Sequence, residues 1–178
     1  MRIVGGEWSG RIISAPPGRN TRPTTDRVRE AWMSAVTPWI AGSGVLDLFA
    51  GSGALGIEAL SRGAAHATFV ENDAGALRTL KQNLAALGIG SDDAEVVRQD
   101  VFKFLEHAAA SQYEVAFADP PYAGGLATRL AEVYRACPFA EVLCIEHARS
   151  EPLPPSARLR ERRYGDTILS FLSLDDDG

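Results

Sequence analysis

Strand-like and helix-like segments alternate along most of this sequence, and this alternation limits the folds that the chain can adopt. From residue 44 onward, short apolar runs are followed by longer segments whose apolar residues recur at helical spacing. A strand, a helix and a second strand in succession favour parallel pairing, because the helix provides the crossover. The pattern therefore predicts an α/β fold in which a mostly parallel sheet carries helices on both faces.

Glycine, proline and the spacing of apolar residues set the bounds that we expect for these segments. Five strands are predicted, followed by a pair of strands around the turn at Gly165-Asp166; the five are 45–50, 66–73, 94–100, 113–122 and 141–148. Four helices are predicted between them, at 54–63, 74–90, 101–109 and 125–136. Residues 1–40 should form a β-hairpin from 2–6 and 10–16 and a helix at 26–40, capped by Thr24 or Thr25. The remainder, 41–178, forms the main α/β domain.

A glycine-rich stretch, DLFAGSGALG at 47–56, contains the first predicted strand end. Gly51, Gly53 and Gly56 match the pattern G-x-G-x-x-G, and Glu71 lies twenty residues after Gly51. Glycines let the backbone approach a ligand, and the free N–H groups of the following helix attract it. A carboxylate at the second strand end can accept hydrogen bonds from both ribose hydroxyls. Nicotinamide dinucleotides and adenosyl cofactors both contain that ribose, so both are compatible, as is a tight turn without a ligand.

Two other strand-end carboxylates favour an adenosyl cofactor. Asp47 lies four residues before Gly51, where an anionic diphosphate would gain nothing from a negative charge. A methionine group carries an ammonium and a sulfonium, which a nearby carboxylate attracts. Asp100 ends the third predicted strand, where it can meet an adenine amino group or cap the helix that begins at Val101.

The sequence Asp119-Pro120-Pro121-Tyr122 follows the apolar run VAFA and is the most specific signal in the chain. Two prolines stiffen the backbone and remove two donors, so the loop presents hydrogen-bond acceptors. The Asp119 carboxylate and the Pro120 carbonyl can accept both N–H groups of an exocyclic amino group, which directs the nitrogen lone pair toward an electrophile. The Tyr122 ring offers a face on which a base can stack, an interaction worth about 1–3 kcal/mol. This arrangement predicts methyl transfer to a base amino group, without a metal or a strong base.

These motifs, in the order DLFAGSGALG, FVEND, RQD and DPPY, resemble those of class I S-adenosylmethionine-dependent amino-group methyltransferases. The stretches RIVGGEWSGR, TRPTTDRVREAW and RRYGDT are similar to the bacterial 16S rRNA guanine-966 N2-methyltransferase family, over nearly the whole chain. The resemblance implies a Rossmann-like seven-stranded sheet with an RNA-facing N-terminal extension. It implies methyl transfer from S-adenosylmethionine to the N2 amino group of one guanine in 16S rRNA, with S-adenosylhomocysteine as product. Trp32-Met33 replaces a more usual Leu-Phe-like pair, which concerns helix packing and not chemistry.

The resemblance also implies roles for individual residues. Those that would bind the cofactor are Asp47, Phe49, Gly51, Ser52, Gly53, Glu71, Asn72, Asp100 and Val101. Those that would hold the flipped guanine for catalysis are Asp119, Pro120, Pro121 and Tyr122. Those that would bind RNA are Arg19, Arg22, Thr24, Arg27 and Arg29. For each arginine, a structural salt bridge is an equal alternative.

Charge is unevenly distributed in this chain, whose formal net charge is −5. Residues 1–30 contain six arginines and three acidic residues. The arginine fork matches phosphate, so this block suits RNA contacts, while the negative total argues against a nonspecific nucleic-acid coat. The expected partner is 16S rRNA, within the 30S subunit or a late assembly particle, and the protein is expected to be a monomer.

The remaining residue types indicate a reduced cytoplasmic protein without a metal. The two cysteines form no C-x-x-C pair, and the three histidines share no metal-ligand spacing. No signal peptide and no membrane-spanning run are expected from the sequence. Glu146 and His147 are expected at a solvated strand end, and the tryptophans are expected to pack in the core or against the hairpin.

Three other functions are compatible with the sequence. A DNA methyltransferase acting on adenine N6 or cytosine N4 would use the same amino-group chemistry. A nicotinamide-dinucleotide oxidoreductase would explain the glycine loop and Glu71. A catalytically silent RNA-binding module of ribosome assembly would explain the arginines, although intact Asp119 and Tyr122 argue against it.

Overall fold

The computed structural model describes residues 1–15, 26–122, 124–156 and 158–174. Its helices are α1 (Asp26–Ile40), α2 (Ala54–Ser61), α3 (Ala74–Leu87), α4 (Val101–Leu105) and α5 (Leu126–Ala136). Its strands are β1 (Gly44–Leu48), β2 (His66–Glu71), β3 (Ala94–Arg98), β4 (Tyr113–Ala118), β5 (Ala140–Ala148), β6 (Leu159–Tyr164) and β7 (Thr167–Ser173). The predicted α/β fold and the predicted order of its elements are confirmed. None of the helices in the described ranges is long and apolar enough to cross a membrane.

The seven strands form one sheet in the order β3-β2-β1-β4-β5-β7-β6. The first five strands pair in parallel, and β7 pairs antiparallel with both β5 and β6. The predicted pair of strands around Gly165-Asp166 is therefore the antiparallel edge of an otherwise parallel sheet. Strand order reverses between β1 and β4, and open α/β sheets bind ligands in the crevice beyond the carboxyl ends of such strands.

Four strands, β1 to β4, end earlier than their sequence patterns predict, and the ends of β4 and β3 bear on the predicted site residues. β4 ends at Ala118, one residue before Asp119, because Pro120 and Pro121 have no N–H group to continue the ladder. β3 ends at Arg98, and Asp100 caps α4 instead of closing the strand. The shortened strands leave these carboxylates in loops at the edge of the sheet, where a ligand can reach them.

Helices cover both faces of the sheet and create two hydrophobic layers. One layer includes α1, α2 and α3, and the other includes α4 and α5. Trp32 on α1 is fully buried in the first layer, with its ring centroid 5.7 Å from that of Phe117 on β4. Val28 and Val36 lie on the same buried face of α1. Because α1 shares this layer with α2 and α3, the N-terminal residues and the sheet have one continuous core.

The N-terminal residues pair as predicted, but over a single antiparallel bridge between Arg2 and Ile12. Backbone groups that a longer hairpin would pair are bonded to α2 instead. The Glu58 carboxylate, which is 1% exposed, accepts the N–H groups of Val4 and Gly5 at 2.9 and 2.8 Å. This charged acceptor fixes residues 1–15, the N-terminal segment, to α2, the helix that follows the glycine loop.

Ser61, the last residue of α2, makes a second set of contacts with the same segment. Its hydroxyl donates to the Gly5 carbonyl at 2.6 Å and accepts the Trp8 N–H at 3.0 Å. Gly6 lies against the end of the helix with φ of +80°, and a Cβ atom at this position would lie 1.8 Å from the Ser61 carbonyl oxygen. Only glycine satisfies both the left-handed backbone and this close approach.

We expect Gly6→Ala to lower the free energy of unfolding more than Gly10→Ala does. Gly10 has φ of +84°, but a Cβ atom there meets nothing within 4 Å, so it is a matched control. Both variants carry the left-handed penalty of about 1–2 kcal/mol. The clash with Ser61 adds about 1–3 kcal/mol at Gly6 alone. Urea unfolding of both variants measures the difference, and equal losses would show that the docking contact is not close.

Candidate active site

The carboxyl ends of the central strands bring three predicted site residues together. Asp47 is the penultimate residue of β1, Glu71 is the last residue of β2, and Asp119 directly follows β4. The charges of Glu71 and Asp119 both act on the Asp47 carboxyl. Residues that are distant in sequence therefore form one acidic group at the point where strand order reverses.

Three residues of the loop after β1 have positive φ angles, in the left-handed region. Phe49, Gly51 and Gly53 have φ angles of 58, 58 and 81°. Non-glycine residues seldom adopt this region, and Phe49 is held there by an edge-to-face contact with Phe102, whose ring centroid is 6.3 Å away. Strain of this kind is concentrated at ligand-binding sites and in switch regions.

Packing of α2 against its neighbours explains two of the three glycines in the G-x-G-x-x-G pattern. A Cβ atom at Gly53 would lie 2.3 Å from the Leu80 side chain, and one at Gly56 would lie 2.4 Å from the Phe69 ring. The Gly56 N–H also donates to Asp47 Oδ2 at 2.9 Å. These glycines let α2 begin close to the sheet, so that its N-terminal N–H groups lie at the acidic group.

Glu71 organises the glycine loop. Its carboxylate is 5% exposed; Oε2 accepts the Gly51 N–H, and Oε1 accepts those of Asn72 and Asp73, all at 2.8 Å. These three bonds join the loop after β1 to the loop after β2. Contact between Glu71 and a ribose remains a prediction, and the structure adds a supporting role that the sequence did not reveal.

Asp47 is a strongly perturbed carboxyl group in the crevice. It is 2% exposed, and burial raises its pKa well above the ordinary value. The hydrogen bond from Gly56 opposes that rise, while the charges of Asp119 and Glu71 add to it. A cation beside Asp47 would relieve this electrostatic cost. Within the described residues, these carboxylates do not form a group suited to a metal ion.

Asp100 caps α4, the structural alternative that its sequence position allowed. Its Oδ1 atom accepts the N–H groups of Phe102 and Lys103 at 3.0 and 3.1 Å. The Val101 side chain is 4% exposed and packs inward. The Arg129 guanidinium lies 3.8 Å from the Phe102 ring centroid, which makes it a cation–π partner close to this end of the crevice.

Asn83 on α3 joins the glycine loop to the N-terminal segment, a role that no sequence motif indicated. Its side-chain NH₂ group donates to the carbonyl groups of Ser52 and Ser14 at 2.9 and 3.0 Å. Its Oδ1 atom accepts the Ser14 N–H at 2.9 Å. Ser52 is thus held through its backbone, and it is 5% exposed.

The loop after β4 exposes the predicted catalytic residues to different degrees. Pro120 is buried and Asp119 is half-buried, while Pro121 and Tyr122 are exposed, the tyrosine by 45%. The Tyr122 hydroxyl donates to Glu146 Oε1 at 2.7 Å and lies 3.3 Å from the Thr167 hydroxyl. Burial raises the pKa of Tyr122 above its usual range, and the charges of Glu146 and Asp119 raise it further. The tyrosine therefore stays protonated, with its hydroxyl anchored and its ring accessible.

Glu146 and His147 do not lie at a solvated strand end, so that expectation was wrong. They are 4% and 1% exposed, because β7 pairs with β5 along its whole carboxyl end, as far as Ala148 opposite Thr167. His147 Nε2 lies 2.8 Å from the Ser170 hydroxyl on β7. Glu146 follows the apolar run VLCI, and a carboxylate buried at such a position needs a hydrogen-bond partner. The Tyr122 hydroxyl is one such partner.

The predicted RNA-binding residues have different positions. Arg19, Arg22 and Thr24 lie outside the described residues. Arg27 is exposed on the first turn of α1. Arg29 is 1% exposed, and its Nη2 atom donates to the Arg2 carbonyl, so the prediction of an RNA contact at Arg29 is wrong in this structure. It lies one residue after Val28 on the inner side of α1, where its side chain ties the helix to the N-terminal segment.

Comparison with known proteins gives consistent results. The family described as "Conserved hypothetical protein 95" matches residues 1–173. A Bacillus subtilis protein named "Putative rRNA methyltransferase YlbH" is 40% identical over 178 residues, which cover 94% of this chain and 95% of that protein. The Escherichia coli "Ribosomal RNA small subunit methyltransferase D" is 45% identical over 126 residues, 71% of this chain and 62% of that protein. A solved structure described as "Putative methyltransferase yhhF from Escherichia coli" has a TM-score of 0.83 and 36% identity, and the match covers 97% of each chain.

The raised pKa of Asp47 predicts a specific dependence of stability on pH. The folded protein keeps the Asp47 proton at pH values where the unfolded chain, with a pKa of about 3.9, has lost it. The contribution of Asp47 to the free energy of unfolding is therefore fully present below the unfolded pKa. It is lost as the pH rises through the higher pKa of the folded protein. We expect Asp47→Asn, which retains an oxygen acceptor for Gly56, to remove this loss and to be more stable than the parent at neutral pH.

Urea unfolding across the range of about pH 4 to 8 measures this effect, and each unit of raised pKa corresponds to about 1.4 kcal/mol. Asp92→Asn removes an exposed acid and is the matched control. The same pH dependence in the parent and in Asp47→Asn would contradict the assignment.

Proposed function

The chain belongs to the family described as "Conserved hypothetical protein 95", and from that premise we propose that it transfers a methyl group from S-adenosylmethionine to the N2 amino group of a guanine in small-subunit rRNA. Relatives named as rRNA methyltransferases support the reaction class and the rRNA substrate. The N2 position is proposed from the acceptors in the loop after β4 and from the sequence resemblance of the N-terminal block. The substrate would be 16S rRNA in the 30S subunit or in a late assembly particle.

The observation that carries this proposal is the arrangement of Asp119, Pro120 and Tyr122 beside the acidic group. Asp119 and Pro120 follow β4 at the switch point of the sheet, where their oxygen atoms would accept the amino group, and the exposed Tyr122 ring is anchored through its hydroxyl in the same loop. Guanine is planar and its N2 amino group has two N–H donors, so it matches two acceptors and an aromatic face. Extruding the base from its stack costs a few kcal/mol, which stacking on Tyr122 can offset.

The crevice also fits the cofactor. When bound, S-adenosylmethionine supplies a methyl group on a positively charged sulfur. Asp47, Glu71 and Asp119 make the crevice acidic, and a bound cation would lower the pKa of Asp47, which burial and the two neighbouring charges raise. The same charges would repel the diphosphate of a nicotinamide dinucleotide, which argues against an oxidoreductase. Asn72 and Asp100 lie at the neighbouring strand ends and would contact the adenosine.

The protein's own groups would act mainly by positioning. The Asp119 carboxylate would accept one N–H of the amino group and the Pro120 carbonyl the other, leaving the lone pair directed toward the methyl group. As nitrogen gains the methyl group it must lose one proton, and Asp119 already holds that N–H. Correct orientation of reacting groups can provide effective molarities of about 10⁵–10⁸ M. Glu146 would keep the Tyr122 ring in the plane that receives the base.

The direct test incubates the purified protein with methyl-labelled S-adenosylmethionine and 30S subunits that lack the modification, and then maps the methylated base. Naked 16S rRNA and plasmid DNA serve as competing substrates. Label on N2 of one guanine is expected. Label on DNA adenine or cytosine would support a DNA methyltransferase, and 30S binding without label would support a silent binding module. Calorimetry with S-adenosylhomocysteine and with NAD distinguishes the two cofactor classes.

Asp119→Ala is expected to lower kcat by about 10²-fold or more, because one of the two amino-group acceptors is lost. Binding of S-adenosylhomocysteine should remain close to normal, since Asp47 and the glycine loop are intact. Asp92→Ala, which removes an exposed acid, should leave both unchanged. Full methyl transfer by Asp119→Ala would refute the assigned mechanism.

Two substitutions of Tyr122 distinguish the contribution of its ring from that of the hydrogen bond between its hydroxyl and Glu146. Tyr122→Ala removes the stacking face and should lower kcat/KM by the equivalent of about 1–3 kcal/mol. Tyr122→Phe retains the ring but loses the hydrogen bond to Glu146, so a smaller decrease, of about 0.5–1.5 kcal/mol, is expected. Steady-state kinetics with 30S subunits measure both values. Equal activity in Tyr122→Ala and the parent would exclude stacking on this ring.

A further inference from the structure

A hollow of about 300 Å³ lies between α3 and the edge strand β3. Its apolar surface comes from Ala74, Leu77 and Val96, and its positive charge from three residues: Arg78, Lys81 and Arg98. Arg78 and Lys81 are three residues apart, so they share one face of α3. Among the described residues that line the hollow, none is acidic.

The three cations of this hollow are exposed and have no partner within the described part of the chain. No hydrogen bond or ion pair joins their side chains to another described residue. Cations on a protein with a net charge of −5 have many acidic residues available as partners. Three unpaired cations around one hollow therefore create a local positive field that suits an external anion.

The hollow lies on the same edge of the sheet as the candidate active site. Arg98 ends β3, and its backbone lies in register with that of Glu71, the last residue of the neighbouring strand β2. Three strand spacings separate β3 from β4, a distance of about 14 Å at the usual separation of 4.7–4.9 Å. A few nucleotides of RNA span that distance, so an RNA strand whose guanine reaches Asp119 can extend over the hollow.

We propose that Arg78, Lys81 and Arg98 form a site for backbone phosphates of the RNA substrate, near the nucleotide that is methylated. This inference rests on the proposed function and adds a binding surface to it. The two guanidinium groups can form paired hydrogen bonds with phosphate oxygens, and the ammonium group adds a point charge. Contacts of this type position a nucleic acid without reading its bases. The hollow therefore sets where the strand crosses the sheet edge, and the loop after β4 selects the base.

The triple variant Arg78→Gln, Lys81→Gln, Arg98→Gln tests this site. Filter binding to 30S subunits at several salt concentrations yields the slope of log Kd against log salt. The slope should fall by about 0.7–0.9 for each phosphate contact that is lost, and binding near physiological salt should weaken at least about tenfold. Lys81→Glu should weaken binding more than Lys81→Gln, which provides a second measurement with one exposed substitution.

Arg135→Gln, which also removes one positive charge, is the control for Lys81→Gln. Arg135 lies in the last turn of α5, which returns the chain to the amino end of β5, at the opposite edge of the sheet. Its removal should leave the salt slope unchanged. Binding of S-adenosylhomocysteine, measured by calorimetry, should be the same in all variants, because none of these cations contacts the glycine loop.

The outcomes separate this site from the proposed function. If the parent protein methylates no RNA, the proposed function fails. If the parent methylates 30S subunits and the triple variant keeps the parent affinity and salt slope, the proposed function stands and the phosphate site is refuted. Weaker binding with an unchanged salt slope would also overturn the phosphate site, because lost phosphate contacts must change the slope.

Discussion

Hydrogen bonds from the glycine loop to two buried carboxylates fix the loop after β1, and the rest of the crevice is arranged around it. Gly51 donates to Glu71 on β2, and Gly56 donates to Asp47 on β1. Because each acceptor is a carboxylate, each bond contributes up to about 1.5–3 kcal/mol when the acceptor is ionised. The Gly56 N–H is one of the donors that a helix N-terminus leaves without an internal partner, so the bond to Asp47 also satisfies the start of α2.

α2 connects this loop to the N-terminal segment through short contacts at its two ends. Gly56 bonds to Asp47 near the start, while Glu58 and Ser61 bond to the N-terminal backbone farther along. Asn83 on α3 adds a second connection between the segment and the loop. The position of residues 1–15 relative to the crevice is therefore set by direct packing. An RNA bound to these residues would meet the crevice in a defined orientation.

The strand and helix order was predictable because apolar periodicity is a local property, and so was the antiparallel pair around Gly165-Asp166. Burial of single polar residues was less predictable because it depends on distant partners. Glu146 resembles a solvated acid until β7 covers β5 and Tyr122 supplies a hydrogen bond. Arg29 belongs to a basic block, yet its position between Val28 and Trp32 turns it toward the core. Glu71 ends β2 as its sequence position predicted, whereas Asp100 and Asp119 follow strands that end earlier, and the bonds of Glu71 to backbone N–H groups required the folded loop.

The distribution of charge along the carboxyl edge of the sheet matches two ligands of opposite sign. Asp47, Glu71 and Asp119 bring three carboxyl groups together at the centre, where burial, and then the charges of Asp119 and Glu71, raise the pKa of Asp47. The positive residues around the hollow lie at the edge strand β3, which is one strand from Glu71, two from Asp47 and three from Asp119. On the proposed function, a cationic methyl donor would be stabilised at the centre and an RNA backbone at the flank, and like charges would disfavour exchange of the two positions. Separation of charge along one sheet edge would then order both reactants before any base-specific contact forms.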